Sequence, residues 1–382
     1  MSHYLIDPRD PLVLRDGRAS DTEMRTLPFP WPSTTTGCLR TLTGTSAKGR
    51  FELSTAEALR IPVAGPLLAD EQGNLLPPSP ADCLWNRPDD APAGDETQVE
   101  RRRLAPLDAL PAGAAYGADG LNDLKLLAPT DNGGEMPKAK AASAPAFWRW
   151  SDFARWLQSR PTAMERCERS AFLAPLPVER RIHVKIDAET QTAEDGMLFS
   201  TQAVVFAHGK ERFQLAVRCP DERLARKVPD NGVAVHVGGK RRLSFLRPAT
   251  ARWPDFGTVF PNGLEVGAGR IARIILLTPG LFEAGWRPSD AQLGGQLIAA
   301  AVGRPQVISG WGIVEKDPDD RSRGQFGPKA IRRMAPAGSV YWVRLPDGVD
   351  PNAWARARWF QGVCDTEQDR LDGFGLCVVG VE

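Results

Sequence analysis

Ile274-Ile275-Leu276-Leu277-Thr278-Pro279-Gly280-Leu281-Phe282 is the stretch that decides the fold. Four consecutive aliphatic residues closed by Thr-Pro-Gly predict a short buried strand that ends at the proline. The chain opens in the same way, because Tyr4-Leu5-Ile6-Asp7-Pro8 is again an apolar run, a polar residue and a proline. A helix signal follows each. After the first, Pro28-Phe29-Pro30-Trp31-Pro32 keeps the backbone extended, and Ser33-Thr34-Thr35-Thr36 offers N-cap hydroxyls ahead of Leu39 and Leu42. After the second, Ser289 stands at a cap position, and Leu293, Leu297, Ile298 and Ala301 predict a helix up to Gly303. A strand-then-helix opening that occurs twice points to two copies of one small α+β unit.

Between these openings the elements are short. Gly65–Asp70 and Gly73–Leu76 read as a hairpin. Residues 86–145 have the weakest periodicity and read as a partly irregular insertion, with Arg101-Arg102-Arg103 as a solvated face. Ser151-Asp152 caps a predicted helix to Arg160, and Phe147, Trp148, Trp150 and Trp156 around it read as core and interface. Arg181–Asp187 alternates strictly, a strand with His183, Lys185 and Asp187 on one face. Further strands are predicted at Gln306–Trp311, Val340–Val343 and Leu376–Gly380.

Composition sets the limits on function. The 382 residues are too many for one ordinary core, so two domains are expected. Gly 36 and Pro 33 predict long loops, and eleven Trp against three Tyr favour interfaces. With a net charge of +1, any nucleic-acid surface must be local and offset by acid elsewhere. The six cysteines and four histidines form neither CxxC nor HxxxH, which argues against a structural zinc site and suits a reducing cytosol. The N-terminus lacks a signal-peptide pattern, and the window Ile271–Phe282 is too short to span a bilayer. A cytoplasmic protein without membrane partners is expected.

The cationic motifs point to polyanion binding. Gly238-Gly239-Lys240-Arg241-Arg242 follows an apolar segment, so glycines that allow close backbone approach precede three cations that can pair with phosphate. The spacing is not that of a phosphate-binding P-loop. On a strand, Lys240 and Arg242 would share one face and Arg241 the other. Arg15-Asp16-Gly17-Arg18 is a turn between two cations, and the basic run Arg321–Arg333 contains no acid. Gly373-Phe374-Gly375 precedes a strand and has no third glycine at dinucleotide-fingerprint spacing.

These motifs occur in a fixed order: Leu12–Arg18, Pro28–Arg40, Gly65–Leu68, His236–Leu243, Leu277–Pro279, Ser309–Trp311, Arg332–Tyr341 and Gly373–Gly375. In that order the chain resembles Cmr subunit three, a RAMP-superfamily family of the type III-B CRISPR effector complex, from Tyr4 to Gly380. Lys240 stands where many relatives carry Glu, and Gly312 where many carry Asp. The resemblance implies two ferredoxin-like (RRM-like) domains with long irregular insertions, here 1–265 and 266–382, the second ending in a glycine-rich loop. It implies a non-catalytic subunit that holds the 5′ handle of the CRISPR RNA and needs no cofactor or metal. The expected partners are the large polymerase-like subunit and the backbone RAMP subunit. The candidate phosphate contacts are Arg15, Arg18, Arg40, Lys240, Arg241, Arg242, Arg332 and Arg333. Gly17, Thr35, Thr36, Gly238, Gly239, Gly373 and Gly375 would bring the backbone close. The alternatives are an endoribonuclease that processes precursor CRISPR RNA through His183 or His236, and a purely protein-binding scaffold.

Overall fold

The computed structural model describes residues 2–15, 23–92, 97–109, 123–130, 140–313, 326–328 and 330–382. Gly17, Arg18 and residues 321–325 and 329 of the basic run lie outside the described residues. The fold is α+β, mostly antiparallel sheet with a few short helices. Each of the two opening stretches becomes an interior strand of its own sheet.

Ser2–Pro8 lies between Leu243–Pro248 and Glu211–Cys219 in a seven-stranded sheet. The remaining path adds Val233–His236 outside Leu243–Pro248, and Ala64–Asp70 then Leu75–Leu76 outside Glu211–Cys219. Tyr4 and Ile6 pack with Leu39 of helix α1 (Pro32–Gly44), whereas Leu5 packs on the opposite face with Trp85, Trp148 and Trp253. Both faces are covered, which explains an apolar run without polar alternation.

Ile271–Leu276 is buried at every residue in a five-stranded sheet. Its order is Gln296–Ala301, Val340–Arg344, Ile271–Leu276, Leu376–Val381, Gln361–Gly362. Here the helix predicted after Ser289 is corrected. Ser289 does cap a helix, but it spans only Asp290–Leu293 and stops at left-handed Gly294 (φ 63°). Gln296–Ala301 is then a strand whose Leu297, Ile298 and Ala299 are buried. Apolar residues this close together fit either period, and pairing with Val340–Arg344 decides the outcome.

The expected irregular insertion is largely ordered where it is described. Gln98–Pro106 pairs with Cys83–Asn86, Leu127–Pro129 and Glu165–Glu168 in a four-stranded sheet. Arg101 and Arg103 are buried, not a solvated face. Strand alternation turns both inward, where Arg101 lies 5.1 Å from the Trp148 ring and Arg103 4.1 Å from that of Trp156. Burial and the neighbouring Arg273 pull the Arg103 guanidinium down to about 8, against the opposing pull of Asp82. Trp148 and Trp156 are core residues, and the helix carrying Trp156 spans Trp150–Gln158.

One polar node joins this insertion to the five-stranded sheet. Arg273 and Asp82 form an ion pair whose side chains have no solvent exposure. Asp82 also accepts from Trp156 Nε1 at 2.9 Å, and Arg273 donates to the Trp156 carbonyl at 2.8 Å. A buried pair survives desolvation only when its remaining donors and acceptors are satisfied, as these are.

Candidate nucleic-acid interface

A cleft of about 630 Å³ opens where four separated segments meet. Helix α1 contributes Ser33, Thr34, Gly37 and Thr41, the first strand's continuation Val13–Arg15, the hairpin His236, Gly238 and Gly239, and the far side Ser309. Four of the eight resemblance motifs thus converge although they lie as far apart as Val13 and Ser309.

Helix periodicity divides α1. Thr35, Thr36, Leu39, Arg40 and Thr43 are buried, while Ser33, Gly37 and Thr41 are exposed. The cap is Trp31 with Pro32 at the first position, and no side chain closes the N-terminus. The expected hydroxyl cap is therefore not formed: Thr35 Oγ1 donates to the Pro32 carbonyl at 3.1 Å and Thr41 Oγ1 to that of Gly37 at 2.7 Å. Pro32 has no N–H and that of Thr34 donates to the Trp31 carbonyl at 2.9 Å, so what the helix end presents beside Ser33 and Thr34 is chiefly its positive dipole.

The Gly-Gly-Lys-Arg-Arg segment is a turn, not a continuing strand. Gly238 has φ 73° and presses on the Val13 carbonyl, 2.7 Å from where a Cβ would stand. Gly239 N–H donates to the same carbonyl at 2.7 Å. Lys240 (φ 61°) and Arg241 (φ 50°) form the exposed tip. The expected face-sharing of Lys240 and Arg242 is thereby replaced: the tip projects Lys240 and Arg241, and Arg242 is half-buried behind them. Arg15 is exposed at the cleft, and its backbone bridges Thr26.

Other expected contacts are committed inside the protein. Arg40 is buried, ion-paired with Asp372 at 2.6 Å, and bonds the Ile61 and Leu59 carbonyls. Thr36 Oγ1 donates to the Asp372 carbonyl at 2.8 Å. Gly373 (φ 91°) lies against the Gly65 and Val63 carbonyls, where a Cβ would come within 2.5 and 2.8 Å. Its N–H donates to Arg370 O, and that of Gly375 (φ 65°) to Pro279 O. Neither is a free donor, so the Gly-Phe-Gly segment closes the two sheets on one another. Arg332 is held by both carboxylate oxygens of Asp369, at 2.9 and 3.0 Å. Arg333 is exposed but lines a different groove with Trp286 and Met334.

Sequence reasoning missed Ser33, Gly37 and Thr41. The signal was present, because Thr36, Leu39, Arg40 and Thr43 share one helical face and leave 33, 37 and 41 on the other. Of the two histidines, His236 lines the cleft. His183 is stacked on Phe199 with ring centroids 4.9 Å apart and bonds Thr201 Oγ1 at 2.8 Å, on the long Val178–Ile186/Ala193–Val204 hairpin. No carboxylate or second histidine lines the cleft with His236 among the described residues.

The fold and cleft define an α+β protein whose two largest sheets are antiparallel, with a hydroxyl-lined, cation-edged groove, chemistry that can hold an extended polyanion. A family model described as CRISPR-associated protein (Cas_Cmr3) matches residues 4–382. The chain therefore belongs to this family, the Cmr3-type subunits of the type III-B CRISPR effector complex. Comparison with curated proteins found no match. Two solved type III-B Cmr-beta structures, one bound to cognate target RNA and AMPPnP and one to cognate target RNA, are each 15% identical with TM-score 0.46. In both cases the match covers 89% of this chain and 86% of the other. A Cmr-beta structure in the apo state is 11% identical with TM-score 0.24, covering 65% of this chain and 97% of that one. No helix among the described residues is long and apolar enough to cross a membrane.

Proposed function

We propose that this chain is a non-catalytic, RNA-holding subunit of a cytoplasmic type III-B CRISPR ribonucleoprotein. It grips the 5′ handle of the CRISPR RNA and docks the large polymerase-like subunit and the backbone RAMP subunit. The observation that carries the reading is the convergence of Arg15, the open face of α1, Gly238 and Gly239 of the cationic turn, and Ser309 on one cleft, in a chain matched by the family from 4 to 382. Single-stranded RNA is held through its phosphates and unstacked bases, and a cation-edged groove lined by Ser and Thr hydroxyls suits that geometry. The reading includes two ferredoxin-like units, 1–265 and 266–382. Supporting it, the four principal strands of each sheet stand in the order fourth, first, third, second.

The test is RNA crosslinking inside the assembled complex. Handle nucleotides should crosslink to peptides containing Arg15, Thr34 or Lys240, and an absence of crosslinks to any of them would reject the interface. The nuclease alternative is favoured only by the position of His236 in the cleft. Incubation of the chain with precursor RNA without divalent metal should give no discrete product. Cleavage that disappears in His236→Ala or His183→Ala would replace the reading.

A further inference from the structure

The hairpin places two long side chains at backbone positions that favour glycine or asparagine. Left-handed backbone falls on Gly238, Lys240 and Arg241, while Gly239 is not left-handed. Two successive residues with φ > 0 make a tip that favours Asn-Gly, and long side chains there are strained. The register cannot slip to relieve this, because Gly238 is pinned against the Val13 carbonyl and Gly239 is bonded to it. Lys240 and Arg241 are exposed, and neither has an ion pair or hydrogen bond among the described residues. Asp10 anchors the foot of the hairpin, its carboxylate accepting from Leu243 N–H at 3.0 Å. Among the described residues, therefore, nothing compensates the strain.

We infer that the Lys240–Arg241 tip is a strained clamp for consecutive RNA phosphates, in which local stability is given up to present two adjacent exposed cations next to Gly238 and Gly239, which line the cleft. The inference rests on the RNA-interface reading and adds that these two residues, through their backbone geometry, set its grip. Side chains on adjacent left-handed residues diverge from the turn while their backbones stay close. Each can then meet a different phosphate, with Arg15 available on the opposite strand.

The test uses the full chain, a fluorescent single-stranded RNA oligonucleotide, and two double variants. Lys240→Asn/Arg241→Gly gives the tip its preferred residues and removes the charges. Its melting temperature should rise by about 1–3 °C. Its RNA affinity should fall about tenfold, with the log–log salt slope smaller by about 1.4, or roughly 0.7 per lost phosphate contact on a single strand. Lys240→Gln/Arg241→Gln keeps the strain and removes the charge, so it should lose the same affinity without the rise in melting temperature. Unchanged RNA affinity and salt slope in both variants would overturn the clamp while leaving the wider interface in place. No rise in melting temperature in Lys240→Asn/Arg241→Gly would overturn the strain. Failure of the wild-type chain to bind RNA would overturn the interface reading and the clamp together. Binding of poly-glutamate as tight as that of RNA, lost equally in both variants, would assign the tip to an acidic protein surface instead.

Discussion

At the scale of single residues, the candidate cations separate by what they already touch. Arg40 is buried against Asp372 and Arg332, although exposed, is paired with Asp369, whereas Lys240 and Arg241 stand exposed and unpaired among the described residues at a turn tip. Arg40→Ala should therefore destabilise the fold by about 2–4 kcal/mol in denaturant melts, because it leaves buried carbonyls and a carboxylate unpaired. Asp82→Asn is expected to cost more, about 3–5 kcal/mol, since fully buried Arg273 would lose its anion. A variant as stable as wild type would show that the node is not what joins the insertion to the sheet. Cys38 makes a third case. It lines the cleft, yet burial pushes its thiol up to about 12, so it stays protonated at neutral pH. Its alkylation by iodoacetamide at pH 8 should be much slower than that of free cysteine, and mass spectrometry of the modified chain would read this directly.

At the scale of elements, helix α1 is the piece whose two faces do different work. Its inner face fastens the sheets through Thr36 and Arg40, and its outer face floors the cleft with small residues. Gly37 sits in this outer face with nothing within 4 Å of where a Cβ would be. Gly37→Ala should stabilise the helix by up to about 1 kcal/mol. Gly37→Leu should fold normally yet weaken RNA binding by filling the cleft. Unimpaired binding by that variant would place the RNA elsewhere. The glycine-rich segment before the last strand behaves in the opposite way. Gly373→Ala would drive a methyl into the Gly65 carbonyl from a left-handed position, and should lower stability by about 1–3 kcal/mol or more. Affinity per folded molecule should change little, which binding measured at matched folded fractions would check.

At the scale of the whole molecule, the two sheets share their fastening residues with the edges of the cleft. Val63 N–H donates to the Leu371 carbonyl and Ala81 N–H to that of Gly338, so the N-terminal and C-terminal sheets are joined by backbone as well as by Arg40 and Gly373. Ser309 reaches the cleft from the C-terminal part, and the other named lining residues come from the N-terminal part. Truncation after residue 265 should therefore remove the Ser309 side of the groove and leave Asp82 without Arg273. Such a fragment is expected to be poorly folded by circular dichroism, and a cooperative native-like melt would contradict that coupling.

The sequence by itself determined the two sheet-forming openings, the α1 segment and the family order of motifs. These are local in origin: runs of aliphatic residues, prolines and glycines restrict the backbone wherever they occur. Only the tertiary structure decided that Gln296–Ala301 is a strand, that Arg101 and Arg103 point inward, and that Arg40, Gly373 and Gly375 serve the joint between sheets. In each case the deciding partner is distant in sequence: Val340–Arg344, Trp148 and Trp156, Asp372, the Gly65 carbonyl and Pro279. A charge or a glycine has the same local signature in solvent and in a joint, and only the atoms it meets decide which of the two it serves.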